Sequence, residues 1–292
     1  MTIRAILTAV SGGPASGGAI ELGCRLARRF AAHLEGFHVL SDPRAVLAAG
    51  GEDIIVPPSA GLIAGAVQQS AVRAGRARRL FHRTVEHHGI ALSEAAAPGV
   101  SLPSACWRED TGLAAALVAE RGRFFDLIVL GRSERVVGAP HTQTIEQTLR
   151  QSGRPVLLAP IDPPPEIGAA VAIAWNASPE SVRALSAALP FIEQARAVTV
   201  ITSGDDDDAA LGESIRRVRD YLAWHGIAAE ARLVAGSSGR QAGRVLIEAA
   251  QEAGADLLVM GAYGQAPWRE QLFGGATSGA VARMAPPLLL MH

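Results

Sequence analysis

Two stretches decide the fold: Phe125-Asp-Leu-Ile-Val-Leu-Gly-Arg-Ser133 and Ala255-Asp-Leu-Leu-Val-Met-Gly-Ala-Tyr263, which match almost residue for residue. Each is an unbroken apolar run closed by glycine, the pattern of a parallel strand covered on both faces. Two further pairs flank them. Ile3-Arg-Ala-Ile-Leu-Thr-Ala-Val-Ser-Gly12 and Ala170-Val-Ala-Ile-Ala-Trp-Asn-Ala-Ser178 are apolar runs ending in small polar residues, each ahead of a helical stretch. Arg154-Pro-Val-Leu-Leu-Ala-Pro160 and Pro286-Pro-Leu-Leu-Leu-Met-His292 close the two halves. The pairs recur in the same order, so the chain is two unequal copies of one unit, the first carrying roughly 35 extra residues between its first and fourth strands.

In the second copy the pattern predicts strands at 170–176, 197–203, 228–235, 255–260 and 287–291. Helices at 178–194, 209–225, 239–253 and 276–284 alternate with them. Ser178 and Pro179 supply a helix cap and an N1 proline, and Gly226 and Gly254 stand where helices must stop. In the first copy the strands fall near 3–10, 33–40, 103–108, 126–131 and 155–159. Repeated β–α–β units with right-handed crossovers give two tandem doubly wound α/β domains. Each is a roughly five-stranded, mainly parallel sheet with helices on both faces. The linker Asp162-Pro-Pro-Pro-Glu-Ile-Gly168 separates domain 1–161 from domain 169–292, because three consecutive prolines fit neither a helix nor a central strand. The extra length is the insertion 43–100, with a Pro/Gly-rich patch and then a long helix over about 60–88, expected to pack over the first domain's cleft. The closing strand of the first half is expected to pair with an edge strand of the second.

Composition narrows the chemistry. Of 292 residues, 49% are hydrophobic, 19% charged and only 4% aromatic, so the core is aliphatic, which suits helix-on-sheet packing. The 27 basic residues are all arginine and balance 28 acids to a net charge of −1. That leaves no broad electrostatic footprint for nucleic acid or an anionic membrane. Absence of lysine excludes a Walker-type phosphate loop and Schiff-base chemistry. Cys24 and Cys106 form no CxxC pair and read as small buried hydrophobes. No apolar run reaches 18 residues and no signal-peptide pattern opens the chain, so a soluble, cytoplasmic protein is expected.

In doubly wound sheets the ligand lies beyond the carboxyl ends of the strands at the switch in strand order, so the turns after the first and fourth strands carry the chemistry. In the second copy Gly261-Ala-Tyr-Gly264 leaves the strand, and after nine residues Gly274-Gly275-Ala276-Thr277 opens the last helix. Glycines admit a phosphate close to the backbone, and a helix N-terminus favours anionic oxygens. These residues, with Ile173-Ala-Trp-Asn-Ala-Ser-Pro179, Glu180 and the closing strand after Pro286-Pro287, resemble the universal stress protein family in its tandem, two-domain form. The resemblance covers almost the whole chain except 43–100. It implies ATP binding, with or without Mg²⁺, between the first and fourth strands of the second domain. Gly261, Gly264, Gly274, Gly275 and the amides of Ala276 would hold phosphates, with Thr277 adding a hydroxyl. Asn176 would lie near ribose, with Ala174, Trp175 and Met260 lining the cleft.

Two positions depart from the family pattern. Asn176 stands where the family has Asp, removing a metal ligand and ribose acceptor, and Gly275 stands where Ser or Thr usually follows the third glycine. Binding therefore survives these changes better than hydrolysis. The first copy departs further. Gly131-Arg-Ser-Glu134 lacks the second glycine, Thr142-Gln-Thr-Ile145 replaces Gly-rich backbone, and Ser11 replaces the Asp, so its site reads as degenerate. Trp175 reads equally as an adenine platform or as packing. Asp205-Asp-Asp-Asp208 reads as a solvated loop, and His82, His87 and His88 lack the i, i+4 spacing of a helical zinc pair, so no metal site is assigned. No catalytic residue is assigned either. The expectation is an adenine-nucleotide-binding stress or signalling module, an internal pseudo-dimer that pairs again into a homodimer and answers to a protein partner. A nucleotide-free interaction protein and a weak ATPase remain the alternatives.

Overall fold

The computed structural model describes residues 2–42, 60–94, 99, 101–132, 140–204, 209–235, 240–262 and 286–292. The chain divides into two compact units. The N-terminal unit comprises Ile3–Gly131 and Gln143–Arg154. The C-terminal unit comprises Pro155–His292 with Met1–Thr2 and Arg132–Thr142.

In the N-terminal unit, β1 (Ala5–Ala9), β2 (His33–Ser41), β4 (Ser104–Gly112) and β5 (Leu127–Gly131) form a parallel sheet with a two-residue β3 (Ala91–Leu92) at its edge. The order is β3-β4-β2-β1-β5. Helices α1 (Ser16–Phe30), α2 (Ala60–His87) and α3 (Ala114–Gly122) belong to it, and α4 (Pro140–Gln151) follows. The long helix expected at 60–88 is present. Ser70, Ala74, Ala77, Phe81 and Val85 form its buried stripe, the i, i+4, i+7 repeat of a helix packed on one side. The short β3 was not foreseen: two residues are too few for periodicity to register. β4 runs four residues beyond the expected end because its polar tail, Glu109 to Gly112, pairs in register with His38 to Ser41.

The C-terminal unit repeats the plan with β7 (Ala170–Ala174), β8 (Ala197–Gly204), β9 (Glu230–Ala235), β10 (Leu257–Gly261) and β11 (Leu288–Met291). Among its described residues it adds α5 (Pro179–Ile192), α6 (Ala209–Trp224) and α7 (Arg240–Glu252). The strand order is β6-β11-β10-β7-β8-β9. Here β6 (Val156–Ala159), the closing strand of the first sequence copy, pairs antiparallel with β11, Leu288 facing Leu158. Every other pairing in the unit is parallel. The helix expected at 276–284 lies outside the described residues.

The repeated aspartates have a structural cause. Asp126 accepts the backbone N–H groups of Arg4 and Ala5 at 2.7 and 2.9 Å. Asp256 accepts those of Gly168, Ala169 and Ala170 at 2.6, 3.0 and 3.2 Å. In each unit the carboxylate ahead of the fourth core strand fastens the start of the first, and such charge-assisted bonds are stronger than neutral ones.

Candidate functional site

The switch in strand order falls between β7 and β10, where Ala174 is in register with Met260 and both are buried. Past β7, Trp175 N–H donates to the Ile201 carbonyl at 2.8 Å, holding the chain against β8. Its indole N–H donates to Ser214 Oγ on α6 at 2.9 Å. Asn176 is exposed, and its Oδ1 accepts the Ser178 N–H at 3.1 Å, closing an Asx turn. Ala177 then takes a left-handed φ of 57°. Ser178 Oγ accepts the Ser181 N–H at 3.2 Å and caps α5, with Pro179 at its first position, as the sequence predicts.

Gly261 ends β10 against the first turn of α5. A Cβ there would lie 2.7 Å from the Glu180 carbonyl carbon and from Ser181 N, so only glycine fits. Gly131 holds the matching position in the N-terminal unit, where a Cβ would run into the Ala15 carbonyl. Packing alone thus requires glycine at both positions. Gly264, Gly274, Gly275, Ala276 and Thr277 lie outside the described residues, as do Glu134 and Asp205 to Asp208.

The N-terminal unit repeats this turn with different contents. Val10 N–H donates to the Phe37 carbonyl at 2.8 Å, as Trp175 does to Ile201. Ser11 holds the place of Asn176, and its hydroxyl lies 3.2 Å from that of Ser16, which also accepts the Gly12 N–H at 3.1 Å. Helix α2 lies directly on this turn: a Cβ on Gly12 would be 2.9 Å from the Arg73 carbonyl and 3.6 Å from Ala77 Cβ. Ser70 of the same helix accepts the N–H of Ser41, the last residue of β2, at 2.9 Å. Below them Phe81 packs on Trp107 at 5.2 Å, and buried His38 stacks on Trp107 while its Nδ1 lies 2.6 Å from the Val10 carbonyl. Thr142-Gln-Thr-Ile145 is helical, in the first turns of α4, with Thr142 and Ile145 buried. Arg132, which follows Gly131, is buried. Burial pushes its guanidinium down to about 10, and it donates to the Pro286 carbonyl at 3.2 Å.

Other chemistry-bearing groups serve packing. His82 borders Phe81 and Trp107, and His88 Nε2 lies 3.0 Å from a Glu21 oxygen. Among the described residues no group of His, Cys, Asp or Glu is arranged to hold a metal ion. Cys24 and Cys106 are free and buried; burial pushes their thiols up to about 12 and about 11, so both stay protonated. A polar chain unforeseen from sequence crosses β2 and β4. His33 reaches Ser104 Oγ at 2.8 Å and Cys106 Sγ at 3.3 Å, and Glu35 is clasped by Arg121, whose guanidinium covers the Phe37 ring at 4.8 Å. A cavity of about 900 Å³ opens at the amino ends of β8 and β9, the end remote from the switch point. Three of its four arginines are paired with carboxylates, and the fourth, Arg219, donates to the Ala229 carbonyl at 2.9 Å. Arg216 pairs with Glu213 and Asp220, Arg196 with Glu166 and Arg232 with Glu252, so it offers an anion little unpaired charge. No described helix is long and apolar enough to cross a membrane.

No family model matches the chain, and no curated protein matches its sequence. Among solved structures, a universal stress protein from Archaeoglobus fulgidus DSM 4304 matches with a TM-score of 0.68. The match spans 100% of this chain and 99% of that one, at 14% identity. The chain has the universal stress protein fold. The likeness runs through both halves, in keeping with the tandem form that the repeats imply. Shorter universal stress proteins also match. UspA from Lactobacillus plantarum covers 55% of this chain and 99% of its own at 16% identity and a TM-score of 0.40. Another, solved in complex with cAMP, covers 42% and 95% at 25% identity and a TM-score of 0.33. What the full-length likeness carries across is the fold alone.

Proposed function

We propose that the C-terminal unit binds an adenine nucleotide, ATP first among them, and that the protein acts as a nucleotide-responsive stress or signalling module. The observation that carries this reading is where β10 ends. Gly261 is its last residue, beside the β7 turn at the switch in strand order, and the Gly261-x2-Gly264-x9-Gly274 segment starts there. With no lysine in the chain, the reading gives phosphate binding to backbone amides and the Thr277 hydroxyl. Asn176 fits a ribose. Its Oδ1 is spent on the Asx turn, which leaves the two Nδ2 hydrogens directed by that turn to donate to a hydroxyl oxygen. An amide is a poor ligand for Mg²⁺, so any metal arrives with the phosphates. Trp175 supports packing over an adenine platform, since its indole N–H is turned to α6.

The test is calorimetric titration of Mg·ATP into nucleotide-stripped wild type and Gly264→Glu. Saturable binding at one site per chain by wild type alone supports the reading. Absence of binding by both favours a nucleotide-free interaction protein, a second reading that Gly131 and Gly261 support because both are accounted for by packing. Multiple turnovers with Mg²⁺ would move the protein to a weak ATPase.

A further inference from the structure

Helix α2 and its counterpart α6 carry their charge differently. On α6, Arg216 pairs with Glu213 and Asp220, and Arg217 with Glu213. On α2, Arg73, Arg76, Arg78, Arg79 and Arg83 are all exposed, and none makes an ion pair or a side-chain hydrogen bond among the described residues. No acid lies between Ala60 and Val85, and Glu86 is the first to follow. A net charge of −1 averages this local excess away. The arginines are also sorted by face. Ser70, Ala74, Ala77, Phe81 and Val85 are buried against the first unit. At about 100° per residue, Val72, Arg76, Arg79 and Arg83 then lie on the opposite side of the helix, with Arg73 and Arg78 on its flanks.

We propose that this outward face of α2 binds duplex nucleic acid through the phosphate backbone, without reading bases. Arg73 to Arg83 spans about 15 Å of helix, the length of about four phosphates along one strand of a duplex. Guanidinium forks bond phosphate oxygens bidentately, and these five have no carboxylate partner to give up first. The residues around them select this occupant over others. Val72 is the single apolar side chain in the outward stripe, whereas a protein interface has an apolar centre and a membrane-seated helix buries aromatic or leucine side chains. No Phe, Tyr or Trp lies on the outward face, whereas proteins that hold single strands stack the bases on such rings. The attraction is therefore charge alone, which positions a duplex and carries no sequence preference.

This surface belongs to the N-terminal unit and stands or falls without the nucleotide reading. The experiment is fluorescence anisotropy of a labelled DNA duplex of about 20 base pairs, titrated with the full chain between about 50 and 200 mM salt in the absence of ATP. For four phosphates, wild type is expected to bind with a slope of log K against log salt of about −3.6, roughly a hundredfold loss across that range. Combining Arg76→Gln, Arg79→Gln and Arg83→Gln is expected to shrink the slope by about 2.7 and to weaken binding about tenfold or more at the lowest salt. A control with the same change of net charge combines Arg216→Gln, Arg217→Gln and Arg244→Gln, whose arginines sit in ion pairs, and is expected to keep the wild-type slope. All six side chains are exposed and glutamine is a good helix former, so both variants are expected to fold. A wild type that leaves the duplex free at about 50 mM salt, or equal losses in the two variants, overturns the proposal. So does tighter binding to the single strand than to the duplex, or binding to vesicles of anionic phospholipid with none to the duplex.

Discussion

The same turn has two different surroundings in this molecule. In both units the first strand is followed by an N–H donated to the second strand, and the glycine that ends the fourth core strand admits the start of the helix that follows the first strand. In the N-terminal unit α2 then lies on the turn, with the Arg73 carbonyl against Gly12 and Ser70 at the end of β2. Among the described residues of the C-terminal unit, the corresponding helix, α6, meets the turn at the hydrogen bond from Trp175 to Ser214, and Asn176 is exposed. Register gives a local cause. Gly36 of β2 corresponds to Val200 of β8, and a Cβ at Gly36 would lie 2.5 Å from the Phe81 ring, so the first unit seats its helix where the second has a side chain. One copy of the turn is filled by protein; at the other Asn176 is exposed, and it is there that we propose the nucleotide.

The comparison breaks most directly at Phe81, a fully buried ring that fixes α2 over Gly36 and Trp107. Phe81→Ala is expected to cost about 3–5 kcal/mol of stability in urea denaturation, with faster amide exchange across 70–85. A loss below about 1 kcal/mol would mean that α2 is an accessory to the first unit and not its seal.

Next in size are the paired glycines. Gly131→Val and Gly261→Val each force a side chain into the first turn of a helix, and each is expected to destabilise its unit by about 1–3 kcal/mol. The two should match, and the Gly261 effect should be the same with and without ATP. A Gly261→Val protein of unchanged stability would overturn the packing account and return that glycine to the ligand.

Why so much of the fold was legible lies in its strands. Leu127–Gly131 and Leu257–Gly261 are buried almost throughout, so their sequence is a plain apolar run that survives duplication. Ser178 and Pro179 announced α5 because capping is local. What sequence could not reveal depended on distant partners. Asp126 and Asp256 were visible as repeats, but their roles are bonds to strand starts more than 80 positions away. The polar chain through His33, Cys106, Glu35 and Arg121 alternates with apolar residues and looked like ordinary strand. At the candidate site, sequence leaves Trp175 open between an adenine platform and a packing role, because residue type and alternation fit both; its indole N–H bonds Ser214, a partner 39 positions away that no local pattern announces.

That bond is the third test. Ser214→Ala leaves the Trp175 N–H without its partner at a half-buried position and is expected to cost about 0.5–1.5 kcal/mol, read by denaturation together with a shift in tryptophan emission. If the turn is freer to open, the change should alter ATP affinity as well as stability. An equal affinity would show that α6 fixes the indole without bearing on the cleft.

The smallest expected effect separates the units by pH. His33 opens β2, where register sets Ala197 at the matching start of β8, so only the N-terminal unit carries a titrating group there. Burial holds the His33 pKa below its ordinary value; Glu35 opposes that shift and Arg108 assists it. In the unfolded chain the imidazole takes up its proton near pH 6.5. As pH falls through that value the unfolded state binds more protons than the folded one, so stability is full above it and declines below, until the folded pKa is passed. Urea denaturation of wild type and His33→Gln between about pH 7.5 and 5.5 isolates this contribution from the carboxylates common to both. The wild type is expected to lose its advantage over the variant as pH falls, since glutamine can still bond Ser104 but cannot titrate. A difference constant with pH would mean that the buried chain through Ser104 and Cys106 tolerates the imidazolium, and the two units would then share one pH response.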